Sequence, residues 1–231
     1  MKFLLILILI PFIYSLNNTY IGNNNGNWFN DTNWSLNRTP VITDNVFITN
    51  NSVIAKSHIT LFSKNISLVN SSLDIQTYGC SNIVIGDKST VNFNNSVFKG
   101  DIYNYGIINL NNKCNHSGDI YNYNSYMILL YSSSLNINGT IFNEAVNISF
   151  NSINRQHYNK ISNIHANRII GGNTTLFVAK NQLTHDNEKF CWTILSGNYI
   201  VGKYNFNNEE YRNSSIIKQY VYVWVCFEDY H

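Results

Sequence analysis

A six-residue sequence occurs twice near the middle of the chain: Gly-Asp-Ile-Tyr-Asn-Tyr occupies residues 100–105 and recurs at 118–123. A third, diverged copy begins at Gly139, 21 residues after Gly118. Repetition at a spacing near 20 residues is typical of solenoids, in which each repeat adds one coil. Apolar residues alternate within each copy, as they do in a half-buried strand. The repeat therefore predicts β-coils rather than helical ones.

The repeat also predicts which residues stack on one another. Stacked coils place equivalent residues on adjacent strands, about 4.8 Å apart. We expect a core row, an outward aromatic row and an asparagine ladder at a turn, in which each side-chain amide bonds to the next. The core row is Ile102, Ile120 and Ile141, the aromatic row is Tyr103, Tyr121 and Phe142, and the ladder is Asn104, Asn122 and Asn143. Short apolar segments between Asn, Ser and Gly turns continue over residues 46–150, so an all-β parallel solenoid is predicted.

The composition excludes several classes of protein. Only 12% of the 231 residues are charged and the net charge is +2, so nucleic-acid binding is not expected. Hydrophobic residues make up 44% of the chain, which argues against disorder. Asparagine contributes 42 residues. Two explanations for it stay open: codon bias in an AT-rich genome, and the tolerance of asparagine for left-handed backbone angles at turns.

Residues 1–16 have the pattern of a secretory signal peptide. Lys2 precedes an apolar run over residues 3–13 that is too short to span a bilayer comfortably, and Tyr14 and Ser15 form a more polar end. An uncleaved anchor is the alternative. No second apolar segment of about 18 residues follows, so no other transmembrane span is expected. The chain is therefore predicted to be secreted or held at the cell surface.

Sequons and cysteines fit an extracellular protein. The chain has thirteen Asn-x-Ser/Thr sequons, and those on exposed turns could carry N-glycans in a eukaryotic host. The candidates are Asn17, Asn50, Asn65, Asn70, Asn94, Asn115, Asn138, Asn147, Asn173 and Asn213. The cysteines have no CxxC spacing, which favours disulfides over a zinc site. Three pairings are possible for the four residues, and we expect the adjacent pairs Cys80–Cys114 and Cys191–Cys226.

A tryptophan-rich segment, residues 17–50, is predicted to form an N-terminal cap and the first coil. Trp28 and Trp34 flank a turn, and Pro40 and Asp44 precede a short Val-Phe-Ile strand. A solenoid needs a cap because bare strand edges promote aggregation.

The run Gly-x-Trp-x-x-x-x-Asn-Trp-Ser, followed by Pro and Asp-x-Val-x-Ile, resembles the N-terminal rung of secreted adhesin-like right-handed parallel β-helix proteins. Autotransporter passenger domains and large repeat-rich cell-surface proteins belong to this group. The resemblance covers about thirty of the 231 residues and implies a right-handed parallel β-helix with an adhesive role.

Residues 51–231 are predicted to form the β-helix itself. The strand rhythm is lost over residues 151–167, where a loop or short helix is expected. The segment from Phe190 to the C-terminus resembles the closing coils of the same adhesin-like proteins, with Tyr204 where phenylalanine is usual.

No common hydrolase or nucleotide-binding pattern is present in the sequence. One pair of residues is nevertheless a candidate for catalysis. Asp101 and Asp119 are stacked one coil apart by the repeat. Parallel β-helices also include polysaccharide lyases and hydrolases, and carboxylates about 5 Å apart suit a retaining glycosidase or a bridging cation. Like charges one coil apart repel, however, and neither copy of the repeat contains Arg or Lys to hold an acidic sugar.

We therefore expect a non-enzymatic structural or adhesive protein that needs no cofactor or metal. Its expected partners are surface glycans or other cell-surface proteins. The alternatives are a glycan-active enzyme that uses Asp101 and Asp119, and a glycan-binding protein in which Tyr103 and Tyr121 stack on sugar rings.

Overall fold

The computed structural model describes residues 15–57, 59–151, 162–178, 190–206, 214–219 and 222–227. Nearly all of the predicted signal peptide lies outside these residues. The described chain forms 18 β-strands and one short 3-10 helix, Asp31–Asn33, with no α-helix. The strands are β1 (Asn17–Thr19), β2 (Gly26–Asn27), β3 (Asn45–Thr49), β4 (Ser52–Lys56), β5 (Leu61–Val69), β6 (Ser72–Gln76), β7 (Tyr78–Ile85), β8 (Thr90–Asn94), β9 (Val97–Lys99), β10 (Ile102–Asn104), β11 (Ile107–Ser117), β12 (Ile120–Tyr123), β13 (Tyr126–Glu144), β14 (Val146–Asn151), β15 (Asn163–Val178), β16 (Phe190–Phe206), β17 (Ser214–Gln219) and β18 (Tyr222–Phe227).

All 18 strands belong to one sheet, in which most neighbours are parallel. Ile102 pairs with Ile83 on one side and with Ile120 on the other, so the register follows the repeat. The predicted core row is confirmed, and it extends over nine strands. It runs through Asn18, Val46, Ile66, Ile83, Ile102, Ile120, Ile141, Ile169 and Ile200. The predicted all-β class and parallel pairing are confirmed, and the arrangement is consistent with a β-solenoid.

Inward and outward side chains alternate along the strands, as the pleat requires. In β6, Leu73 and Ile75 are fully buried, while Ser72, Asp74 and Gln76 are half-buried. The inward rows of successive strands form one continuous core, made mainly of Ile, Leu and Val.

Two tryptophans are buried at the N-terminal end of the sheet. Trp28 and Trp34 have no exposed surface, and their rings meet edge to face with centroids 4.8 Å apart. The Trp34 Nε1–H group donates a 2.7 Å hydrogen bond to the Trp28 carbonyl. Aromatic side chains of this size contribute a large share of core burial energy.

The aspartate that follows these tryptophans has a structural partner that the sequence reading missed. Asp44 is fully buried, and Arg38 donates hydrogen bonds of 2.6 and 2.9 Å to its two carboxylate oxygens. Burial alone would raise the pKa of Asp44, but Arg38 and the Val41 N–H group hold it below its usual value. Arg38 and Asp44 therefore form a half-buried ion pair, in which the carboxylate is buried and the Arg38 side chain is 36% exposed.

Asparagine has a backbone role at the turns. Among the described residues, eight non-glycine residues have positive φ, and seven of these are asparagine. They are Asn25, Asn37, Asn50, Asn70, Asn95, Asn112 and Asn124, with Ala145 as the eighth. Asparagine tolerates this conformation better than other side chains do, so turn geometry explains part of the asparagine content.

The C-terminal strands differ from the closing coils that the sequence suggested. β18 is antiparallel to both β16 and β17. Only two residues separate β17 from β18, which is too short for a parallel crossover and fits a hairpin. The irregular segment expected over residues 151–167 is also too long, because β15 begins at Asn163 and pairs in parallel with β13. Residues 152–161 lie outside the described part.

Candidate functional site

The glycine of each repeat is needed where successive coils approach at a turn. Gly100 and Gly118 have φ of +126° and +140°. A Cβ on Gly118 would collide with the carbonyl oxygen of Gly100, and one on Gly100 would collide with that of Ser81. Only glycine combines this backbone angle with so close an approach.

The two candidate catalytic carboxylates cap backbone groups of the next coil. The Asp101 Oδ1 atom accepts a 2.9 Å hydrogen bond from the Asp119 N–H group. The Asp119 Oδ1 atom accepts a 2.7 Å hydrogen bond from the Thr140 N–H group. In the same way, the Asn82 Oδ1 atom accepts from the Asp101 N–H group at 2.9 Å. Each side chain thus provides an acceptor for a backbone N–H group of the adjacent repeat.

This column continues toward the N-terminus as an asparagine ladder on strands β1, β3, β5 and β7. Asn65 donates to Asn45 at 2.9 Å, and Asn82 donates to Asn65 at 3.5 Å. Asn45 in turn donates to Asn17 at 3.5 Å. The two aspartates therefore occupy ladder positions, and a structural role accounts for both.

We expect Asp119→Asn to leave the free energy of unfolding within about 0.5 kcal/mol of wild type, because the amide oxygen keeps the acceptor. Asp119→Ala should cost about 1–2 kcal/mol, since the Thr140 N–H group loses its partner. Urea unfolding followed by circular dichroism measures both values. The exposed Asp87 provides the control, Asp87→Ala, which should have no measurable effect. Equal losses for Asp119→Ala and Asp87→Ala would contradict the capping role.

The predicted aromatic row is confirmed, and a second row lies beside it. Tyr103 stacks on Tyr121 with ring centroids 4.9 Å apart, and Tyr121 stacks on Phe142 at 4.8 Å. Tyr105 stacks on Tyr123 at 5.1 Å. The Tyr121 hydroxyl lies 3.4 Å from Asp119 Oδ2, and burial together with the Asp119 and Asp101 charges raises the pKa of Tyr121. The ring faces of Tyr103 and Tyr121 are thus largely used by each other, which favours packing over sugar stacking.

The predicted asparagine ladder is also confirmed, and it is buried. Asn104 donates to Asn122, and Asn122 donates to Asn143, each at 2.9 Å. Asn104 and Asn122 have no exposed surface. All six residues of Gly-Asp-Ile-Tyr-Asn-Tyr therefore contact the adjacent coil.

One of the two expected disulfides is wrong. Cys80 and Cys114 are free thiols. Cys80 pairs with Lys99, and Lys99 with Ser117, so Cys80 lies two strands away from the strand that carries Cys114. Two strand spacings amount to about 9.6 Å, beyond the Cα separation that a disulfide spans. Cys191 and Cys226 are directly opposite each other in the antiparallel pair β16–β18, and that disulfide stays a prediction.

None of the glycosylation candidates in the described residues has a buried side chain. Asn17, Asn50, Asn70, Asn138 and Asn173 are exposed, and Asn65, Asn94, Asn115 and Asn147 are half-buried. Asn213 lies outside the described residues. Glycosylation of these sites stays a prediction.

The structure shows two features that sequence reading did not single out. His116 is 5% exposed, and neither of its ring nitrogens has a hydrogen-bond partner. A polar groove that includes Tyr78 and Lys113 lies at a turn on another part of the surface. The alternation of Cys114 and His116 along β11 could have indicated that both side chains point inward.

Comparisons with known proteins do not add a family. No protein-family model, curated protein or solved structure matches this chain. Among the described residues, no helix is long and apolar enough to span a membrane, and no three His, Cys, Asp or Glu side chains are grouped to hold a metal ion.

Proposed function

We propose that this chain is a right-handed parallel β-helix that acts as a secreted or cell-surface structural or adhesive protein without catalysis. The observation that carries the proposal is that all six residues of the repeat contact neighbouring strands or turns. Glycine, aspartate, isoleucine, both tyrosines and asparagine each contact the equivalent region of an adjacent coil. The most regular part of the sequence is accounted for by assembly of a rigid rod.

The helical winding is supported by the order of the parallel pairs. β3, β5, β7, β10, β12, β13, β15 and β16 follow one another in the sheet through parallel pairing. The crossover connection between two parallel strands of one sheet is right-handed in nearly all proteins, which supports the proposed right-handed winding. The resemblance of the tryptophan-rich segment to adhesin-like β-helices supports the adhesive role.

An activity panel and an attachment assay test the function together. The full chain, expressed with its N-terminal segment, should appear in the medium or on the cell surface. It should show no turnover of pectin-, chitin- or β-glucan-type polysaccharides, and surfaces coated with it should retain cells. Turnover that disappears in Asp119→Asn would overturn the non-catalytic proposal and favour the glycan-active alternative. Retention in the cytoplasm would overturn the extracellular role.

Glycan binding without catalysis is the second candidate function. It is favoured by the groove at Tyr78, which has an exposed aromatic ring among polar side chains.

A further inference from the structure

A groove of about 350 Å³ crosses three successive coils at one turn of the sheet. Its volume is within the range of sites that bind small ligands. Tyr78 of β7 pairs with Val97 of β9, and Val97 pairs with Asn115 of β11. Three stacked strands span about 10 Å, which is long enough for a short stretch of an extended ligand.

Tyr78 has the most accessible aromatic ring of the described chain. It is 62% exposed, and its register neighbour is the small side chain of Val97. Among the described residues, it has no ring partner, in contrast to Tyr103, Tyr121, Tyr105 and Tyr123. An open aromatic face of this kind can stack on the apolar face of a pyranose ring.

The amides around this ring are not used in ladders. In the described part of the chain, the Gln76 and Asn95 side chains have no hydrogen-bond partner, although both line the groove. Many asparagines elsewhere in the chain are committed, as the pair Asn94 and Asn112 shows at 2.9 Å. Free amides beside an aromatic ring supply the donors and acceptors that orient hydroxyl-rich ligands.

The groove has a positive charge without a counter-charge. Lys113 is exposed, and no Asp or Glu lines the groove. Among the described residues, the ion pair is Arg38–Asp44, and neither of these residues lines the groove. The register of β11 against β13 shifts between Asn111 and Lys113, and Asn112 has a φ of 60°. Irregularities of this kind redirect side chains out of the regular alternation, and here one lies at the lysine.

We propose that this groove binds an acidic oligosaccharide, with Tyr78 stacked on a sugar ring and Lys113 paired with a carboxylate or sulfate group. Gln76 and Asn95 hydrogen-bond to ring hydroxyls. This assignment deepens the proposed adhesive function and rests on it for its biological setting. It also moves the sugar-stacking role from Tyr103 and Tyr121 to a tyrosine with an open face.

Calorimetric titration of the full secreted chain tests the site with three probes: tetragalacturonate, a heparin-derived tetrasaccharide and neutral cellotetraose. We expect wild type to bind at least one acidic probe. Its affinity for cellotetraose should be at least about tenfold lower, and so should the affinity of Tyr78→Ala for the acidic probe. Lys113→Gln should weaken acidic binding and remove most of its salt dependence. The two acidic probes distinguish carboxylate from sulfate recognition.

The controls are an exposed tyrosine and an exposed lysine outside the groove. Tyr126→Ala and Lys99→Gln should bind within about twofold of wild type. No binding of either acidic probe, both before and after release of N-glycans, or equal losses for groove and control variants, overturns the site. Equal affinity for cellotetraose overturns the charge complementarity.

The sequon at Asn115 offers a second occupant, the chain's own N-glycan. The titration is therefore repeated after enzymatic release of N-glycans. If binding appears only after release, the proposal of an external ligand is wrong and the groove is assigned to the Asn115 glycan.

Turnover of a bound probe would overturn the non-catalytic function while leaving the groove intact. Cell attachment that survives Tyr78→Ala, with oligosaccharide binding lost, would separate adhesion from the groove and overturn its adhesive role.

Discussion

Asn122→Ala should lower the free energy of unfolding by about 2–4 kcal/mol, because Asn122 is the central residue of a buried ladder. Its Oδ1 atom accepts from Asn104, and its Nδ2 group donates to Asn143, each at 2.9 Å. Asn122 has no exposed surface, so its removal leaves both partners facing an interior that water does not reach. Asn104 keeps a second acceptor, the Tyr126 carbonyl at 3.3 Å, which places the expected loss below that for two fully orphaned groups.

A solvent-exposed ladder in the same protein provides the matched control. Asn112 donates to Asn94 at 2.9 Å with the same 18-residue offset, but it is exposed. Asn94→Ala removes this exposed hydrogen bond at a strand residue without a positive φ, and it should therefore cost under about 1 kcal/mol. Urea unfolding of both variants, followed by far-ultraviolet circular dichroism, gives the difference. If the two losses are equal, burial does not set the strength of the ladder.

The repeat made the register predictable because its two copies are identical. Once Ile102 is placed over Ile120, alternation assigns Tyr103 to the outside and Asn104 to the ladder, and the structure agrees. The same reasoning could not find the hairpin of β17 and β18, because no copy of the repeat extends that far. The pairing of β17 with β18 depends on the two-residue connection between them rather than on similarity between repeats.

The aspartates were harder to interpret because residue type and residue position point to different roles. Two carboxylates one coil apart suggest acid–base chemistry when they are read alone. Their column neighbours are Asn82 on one side and Thr140 on the other, and the Asp101 and Asp119 side chains both accept from a backbone N–H group. Those neighbours are identified by register, and register in the less regular coils is not visible in the sequence.

The groove was missed for a related reason. Tyr78, Asn95 and Lys113 do not resemble one another and lie outside the repeated six residues. They come together because successive coils place similar turns side by side. A site made of unlike residues from adjacent coils has no sequence pattern of its own.

His116 should make the protein lose stability as the pH falls from neutral toward 4. Burial lowers the pKa of His116 from 6.5 to about 4, and the charges of Asp101 and Asp119 offset this only in part. Above pH 6.5 the histidine is neutral in both the folded and the unfolded chain, so it adds no pH dependence. Between pH 6.5 and 4 only the unfolded chain takes up the proton, so the free energy of unfolding falls by about 1.4 kcal/mol per pH unit. The expected total is about 3 kcal/mol.

His116→Leu tests this linkage, because leucine fills the core position without a titratable group. At pH 7 the variant should be as stable as wild type or about 1 kcal/mol more stable, since both imidazole nitrogens lack partners. Its unfolding free energy should fall much less between pH 7 and 4.5, a range above the pH at which Asp44 loses its stabilising charge. The exposed His165 provides the control, and His165→Leu should keep the wild-type slope. A His116→Leu slope equal to that of wild type would mean that other groups, rather than the buried imidazole, control the acid sensitivity of the core.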